Sequence, residues 1–182
     1  MTTRTLSAQI FGRKVEFEYS ERGIGYAIAV ARIALGWIFF QSGVQKILDP
    51  EWTAAGFLQF AIPEGNPFAS LWAGMAGNAL VDNLVQWGML LVGASLILGF
   101  FVRWAALWGA VMMVLFWMAS LTGGLGQFFP LEHGWVIDDH LVYAALLYFL
   151  GAVGAGRILG LDARIEQSNF VKSNSWVKFF TG

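Results

Sequence analysis

The first candidate for chemistry in this sequence is Arg32, a charged residue inside the apolar run of residues 24–40. Counted from Ile24 at ~1.5 Å per residue, Arg32 lies roughly 12 Å along a helix. At that depth an arginine that faces lipid costs on the order of 3 kcal/mol, so we expect its side chain to point into a bundle. There it would bind an anion, a carbonyl-bearing ligand or backbone carbonyls. The alternative is snorkelling to the headgroups.

Two glycines share the predicted helix face of Arg32. Gly36 and Gly43 follow it at intervals that place all three residues on one side of a helix. Glycine at such positions lets a neighbouring helix approach closely. We predict that these two glycines, together with Gly151 and Gly154 near the end of the last apolar run, pack the helices of the bundle.

A second candidate site combines polar residues from the opposite ends of the apolar runs. In an up-and-down bundle these ends are neighbours, and they carry Gln41, Lys46, Gln86, Asp138, Asp139 and His140. Lys46 with His140 would bind an anion. Asp138 or Asp139 would fix the imidazole tautomer while His140 moves a proton near neutral pH. The alternative is helix capping by the aspartates and a solvated histidine at the membrane boundary.

No metal or haem is predicted. The two histidines, His133 and His140, are seven residues apart and fall on the same outer side, whereas bis-histidine haem needs opposed axial ligands. The chain has no cysteine, which excludes disulfides, thiolate zinc sites and cysteine-held clusters.

Composition indicates that the elements holding these residues lie in lipid. Hydrophobic residues make up 57% of the 182-residue chain, charged residues only 13%, and mean hydropathy is +0.61. A net charge of −1 with scattered basic residues argues against a nucleic-acid partner. Four apolar runs approach the ~20 residues that a helix needs to span a bilayer, at residues 24–40, 84–102, 104–121 and 141–156. The sequence therefore predicts an all-α integral membrane four-helix bundle.

The basic residues predict its orientation. They precede the first run, occupy the turn between the second and third, and follow the fourth, as Arg4, Arg13, Lys14, Arg22, Arg103, Arg157, Arg164, Lys172 and Lys178. The other two connections contain one basic residue, Lys46. By the positive-inside rule this distribution predicts a multi-pass protein of the plasma membrane with both termini in the cytoplasm.

Three segments follow from this reading. Residues 1–23 form a cytoplasmic N-terminal segment, residues 24–161 the membrane domain, and residues 162–182 a cytoplasmic tail that is mobile or docks on a partner. Pro63 and Pro67 divide the aromatic stretch after the first run into two short helices, which we expect to lie in the outer interface.

Charged residues at the cytoplasmic end have structural roles in this interpretation. Arg157 suits the negative end of a helix, and Asp162, five residues later, would pair with it or with Arg103 across the turn.

Three segments of the sequence form a recognisable set: R-I-A-L-G-W-I-F-F-Q-S-G-V-Q-K, L-I-L-G-F-F-V-R-W-A-A-L and G-A-G-R-I-L-G-L-D. Together they resemble the DoxX family of small four-helix membrane proteins. The stretches A-G-F-L and G-N-P-F-A after the first run resemble more specifically DoxD, the membrane subunit of thiosulfate:quinone oxidoreductase.

The resemblance implies electron transfer from thiosulfate, or a related sulfur compound, to a membrane quinone, with a second small subunit or a homo-oligomer as partner. Quinone would then bind at Arg32, Gln41, Lys46 and Gln86, with His140 and Asp139 as the proton path. Two alternatives remain. The chain is a non-catalytic accessory or assembly subunit of a respiratory complex, or a small-molecule transporter, for which four helices without an inverted repeat leave little room.

Overall fold

The computed structural model describes residues 3–121 and 137–182, and it begins with an antiparallel β-hairpin. Strand β1 is Thr3–Ile10 and strand β2 is Arg13–Ser20, joined by a two-residue turn at Phe11 and Gly12. The all-α prediction is therefore wrong at the N-terminus. Apolar and polar residues alternate along both strands, a period that suits a pleated strand and not a helix.

Seven α-helices follow in the described residues. They are α1 (Glu21–Leu48), α2 (Ala69–Met75), α3 (Ala79–Leu98), α4 (Val102–Ser120), α5 (Asp139–Ala152), α6 (Asp162–Ile165) and α7 (Asn169–Ser173). Three of them, α1, α3 and α4, are long and apolar enough to cross a membrane. Helix α5 is apolar but has only 14 residues, so a fourth crossing stays a prediction.

One apolar core joins the four longest helices. Helices α1, α3, α4 and α5 each place side chains in it, among them Phe39, Leu96, Val102 and Leu147, which are almost completely buried. The opposite faces of the same helices expose large apolar side chains, as expected for helices surrounded by lipid.

Glycines set the distance between α1 and α3. A β-carbon at Gly36 would lie 2.9 Å from Leu96 Cβ, and one at Gly43 would lie 2.7 Å from Leu90 Cα. Gly93 faces the backbone of Phe40 in the same way from α3. The predicted close approach at Gly36 and Gly43 is therefore present, and its partner is α3. Gly151 faces Ala106 between α4 and α5, whereas Gly154 lies beyond α5 with φ +68°.

Two short helices precede α3, as predicted from the prolines. A π-helical turn, Phe57–Ala61, and α2 pack over the end of α4 through Leu58, Trp72 and Ala119. Asn66 holds these two short helices against the end of α4, because its Nδ2 donates to the carbonyls of Met118, Ala119 and Leu121 at 2.9–3.0 Å. These are carbonyls that the end of a helix leaves without intrahelical partners.

The segment after α5 folds back onto the bundle. The backbone N–H of Leu161 donates to the carbonyl of Leu98, that of Trp104 donates to the carbonyl of Phe180, and that of Gly156 donates to the carbonyl of Gly182. Residues 162–182 therefore dock on this chain, at the end of the bundle that holds the α3–α4 turn.

Candidate functional site

Arg32 is fully buried, as the sequence predicts, and binds backbone. Its Nη1 donates to the carbonyl of Ala155 at 2.7 Å and its Nη2 to that of Leu159 at 3.2 Å. Nε has no hydrogen-bond partner among the described residues. The guanidinium therefore anchors the turn after α5 to α1. Hydrogen bonding to backbone carbonyls is one of the roles that the sequence left open for Arg32.

The position of Arg32 along the bundle differs from the depth counted from Ile24. Its guanidinium packs against Gly99, just beyond α3, and against Gly160, in the turn after α5. The N-terminal part of α1 extends past the end of α3, so Arg32 lies level with the ends of the other helices and not at their middle. Gly99 has φ +66° and no side chain, and both features leave room for the guanidinium.

Asp162 supplies the negative charge that Arg32 lacks within the apolar runs. The two residues attract each other electrostatically, although they are far apart in the sequence. The carboxylate is fully buried and accepts hydrogen bonds from the backbone N–H groups of Phe101, Val102 and Gly182 at 2.7–3.1 Å. Asp162 thus caps the start of α4, and its hydrogen-bond donors are backbone N–H groups and not Arg157 or Arg103.

Arg157 pairs instead with Glu166. Three hydrogen bonds of 2.8–3.0 Å join the guanidinium to the two carboxylate oxygens, and Thr181 Oγ1 donates to the same carboxylate at 2.6 Å. Chiefly through the bond from Arg157, the pKa of Glu166 is lowered, and the same bond raises the pKa of Arg157. This pair holds the C-terminal segment in place.

At the opposite end, His140 lies among carboxylates and a hydroxyl. Its Nδ1 is 2.9 Å from Asp138 Oδ2 and 3.4 Å from Asp139 Oδ1, and Ser120 Oγ donates to Asp138 at 3.1 Å. The ring of Phe116 meets the imidazole edge to face at 6.0 Å. Asp138 is also the N-cap of α5, because it accepts from the N–H of Leu141.

Asp138, Asp139 and His140, here called the outer cluster because the sequence predicts them at the outer ends of the helices, have electrostatics that disfavour a bound anion. Partial burial disfavours the charged form of Asp138, but hydrogen bonds from His140, the N–H of Leu141 and Ser120 outweigh it and lower the pKa of Asp138. An imidazolium here is already neutralised by its carboxylate neighbours. A doubly charged anion would therefore gain little electrostatic stabilisation from His140.

Lys46 does not join His140. Its Nζ contacts the carbonyl of Ser42 at 3.5 Å and lies 5.5 Å from the centre of the Trp52 ring. Gln41 is exposed on α1 and Gln86 is half-buried on α3. The structure therefore brings His140, Asp138 and Asp139 together but leaves the other predicted outer residues apart. His133 lies outside the described residues.

A groove between α4 and α5 was not predicted. It encloses a cavity of about 510 Å³, with Arg103, Trp104 and Ala110 from α4, Tyr148 from α5, and Phe180 from the C-terminal segment among its lining residues. Trp104 and Phe180 meet edge to face at 5.0 Å. Trp104 and Tyr148 are exposed, so the groove opens sideways, toward the side on which lipid surrounds the helices.

Arg103 places a positive charge in this apolar groove. Its Nε donates to the carbonyl of Gly151 at 3.3 Å, and within residues 3–121 and 137–182 the guanidinium has no other hydrogen bond and no ion pair. No local pattern in the sequence signals this groove, because one of its walls, Phe180, reaches Trp104 from a distant part of the chain.

Comparison with known proteins gives one family. The family model described as DoxX matches residues 27–122, just over half of the chain, from α1 to the end of α4. No curated protein and no solved structure matches the chain.

Proposed function

Because the chain belongs to the DoxX family of membrane proteins, we propose that it is the membrane subunit of a quinone-linked oxidoreductase. In this role it passes electrons from thiosulfate, or a related sulfur compound, to a membrane quinone. The observation that supports the proposal is the groove between α4 and α5, which combines an arginine, aromatic walls and a lateral opening.

A quinone needs two kinds of surface from its site. The ring carries two carbonyl oxygens, which take a hydrogen-bond donor or a cation, and the isoprenoid tail needs an apolar exit into lipid. Arg103 offers donors at one end of the groove, Trp104 and Phe180 offer aromatic walls, and the lateral opening beside Tyr148 admits the tail. The two Nη groups of Arg32 bind backbone carbonyls, so Arg32 is not available to a quinone. We therefore place the quinone at Arg103.

The chemistry requires two electrons and two protons for each quinone. Two thiosulfate dianions joined by a new S–S bond give one tetrathionate and release those two electrons. His140 and Gly151 are separated by eleven residues of sequence, roughly 16 Å at helical rise, so the outer cluster does not touch a quinone in the groove. We assign the oxidation of the sulfur compound, and the delivery of its two electrons to the quinone, to a partner subunit. His140 and Asp139 would take up the two protons at the outer face, and water molecules would carry them the remaining distance to the quinone.

Quinone reduction by the purified protein tests this function. Thiosulfate and sulfite are each offered as reductant, with and without co-purified partners. Arg103→Gln should lower the rate at least tenfold, because it removes the cation from the groove. Arg164→Gln is the matched control, since Arg164 is an exposed arginine outside the groove. Equal rates for the two variants, or no quinone reduction with either reductant when the co-purified partners are present, would contradict the proposal.

An accessory role is the second candidate, and the Arg32 contacts favour it. Arg32, although charged and fully buried, binds the chain's own backbone, as expected of a scaffold. A subunit of this kind would bind its partner and raise the partner's activity without binding quinone itself. Quinone-analogue binding to the isolated chain separates the two roles.

A further inference from the structure

The N-terminal β-hairpin has two faces of different character. The register places Arg4 opposite Tyr19, Leu6 opposite Phe17, Ala8 opposite Val15 and Ile10 opposite Arg13, and directly opposed residues share a face. The other face carries Thr3, Thr5, Ser7, Gln9, Lys14, Glu16, Glu18 and Ser20. One face is therefore apolar and the other polar, yet Leu6, Ile10, Val15 and Phe17 on the apolar face are exposed.

The charges are divided between the two faces as well. Both charged residues of the apolar face, Arg4 and Arg13, are basic, whereas the polar face holds Glu16 and Glu18 with Lys14. Arg4 also forms an ion pair with Glu21 at 3.0 Å. The apolar face is thus complementary to a surface that is apolar within and negatively charged at its boundary, which describes a bilayer containing anionic lipid.

The tip of the hairpin adds an exposed aromatic ring. Phe11 is fully exposed and has φ +50°, a conformation that is costly for a residue with a side chain. A turn of this kind normally takes Asn or Gly at this position. A phenylalanine here gains nothing from the fold of the described residues, but it would gain on entering an apolar phase.

The position of the hairpin brings it to the membrane surface. Strand β2 ends at Ser20, and α1, which is long and apolar enough to span a bilayer, begins at Glu21 without a linker. Ser20 caps the helix by accepting from the N–H of Gly23 at 3.2 Å. A two-stranded hairpin alone is only marginally stable in water, so this one needs a surface to cover its apolar face.

We propose that the apolar face of the hairpin lies on the anionic lipid surface at the membrane end of α1, with Phe11 inserted among the headgroups. A second copy is a poorer occupant. If two such faces stacked, in either orientation the arginines of one copy would lie at the same level along the strands as arginines of the other copy, and like charges repel.

Single cysteines in the full chain test this placement, because the protein has none of its own. Phe17→Cys on the apolar face and Ser7→Cys on the polar face would each carry an environment-sensitive fluorophore, and the protein would be placed in nanodiscs of phosphatidylcholine with one quarter phosphatidylglycerol. We expect blue-shifted emission and quenching by headgroup spin-labelled lipid at position 17. At position 7 we expect quenching by aqueous iodide.

Replacing Arg4 and Arg13 by Gln, or omitting phosphatidylglycerol, should reduce the lipid quenching at position 17 at least twofold. Equal iodide access at the two positions would overturn the proposal. Protection of position 17 from iodide without any quenching by the headgroup spin-labelled lipid would also overturn it, and its dependence or lack of dependence on protein concentration would then identify a second copy or another face of the same chain as the occupant.

Discussion

Arg32 donates from Nη1 to the carbonyl oxygen of Ala155 at 2.7 Å, a contact across 123 residues of sequence. It joins the first long helix to the turn after the last one. Arg32, for which the sequence left both a ligand role and a structural role open, thus connects two distant parts of the chain.

Replacing Arg32 by Leu should destabilise the protein while leaving the groove intact. The change removes the donors to the Ala155 and Leu159 carbonyls, and each buried acceptor left unpaired costs about 1–3 kcal/mol. Thermal unfolding in detergent measures the loss. Arg22→Leu makes the same chemical change at an exposed position of α1 and should be nearly neutral. A stable Arg32→Leu protein that no longer binds a quinone analogue would instead show that Arg32 binds the quinone.

Acid should loosen the C-terminal segment through Glu166. Its pKa is lowered in the folded protein, so the stability from the pair with Arg157 is present above the ordinary value of 4.5 and is lost as pH falls through the folded pKa. Melting temperature measured from pH 7 downward should therefore fall less steeply for Glu166→Gln, which starts lower. Glu64→Gln, at an exposed position, is the control. A parallel fall in all three proteins would exclude this pair as the cause.

His140 should affect turnover but not quinone binding. The imidazole sits 2.9 Å from Asp138 and far from the groove, so His140→Ala removes a proton carrier without changing the quinone site. We expect a lower rate of quinone reduction, an altered pH profile and an unchanged dissociation constant for a quinone analogue. Asp138→Asn keeps the α5 cap and tests the carboxylate separately. If rate and pH profile both stay at wild-type values in His140→Ala, the histidine is a boundary residue.

The distribution of basic residues predicts the orientation in the membrane. Ser70→Cys, in α2, and Ser173→Cys, at the end of α7, introduce single exposed thiols at the two ends of the bundle. On intact cells an impermeant maleimide should label the former and spare the latter, with both labelled after lysis. The reverse pattern would invert the topology.

The sequence predicted the long helices because apolar runs near membrane length leave few other structures for the backbone. Their ends were less predictable. Helix α1 continues past Phe40 to Leu48 through polar residues that interrupt the run but are good helix formers, such as Gln45 and Lys46. The alternation in residues 3–20 is a strand signal, but the all-α prediction rests on the apolar runs that follow it and on the composition of the whole chain.

The candidate sites show where local sequence stops being informative. The spacing of Arg157 and Asp162 suggested a local ion pair, but the fold offers Asp162 backbone N–H groups from Phe101 and Val102, sixty residues away. The groove depends on Phe180 folding back beside Trp104. Such long-range contacts are created by packing, and no periodic pattern encodes them.

Equilibrium binding of a short-chain quinone analogue to the purified chain is the most direct test of the central claim. Quenching of tryptophan fluorescence reports binding at the groove, since Trp104 lines it, and Trp104→Phe should remove that component. Ala110→Phe, which fills the groove, should raise the dissociation constant at least tenfold. Val111→Phe, at an exposed neighbouring position outside the groove, should leave it unchanged. Identical binding by the wild-type, Ala110→Phe and Val111→Phe proteins would contradict the assignment of the groove to quinone.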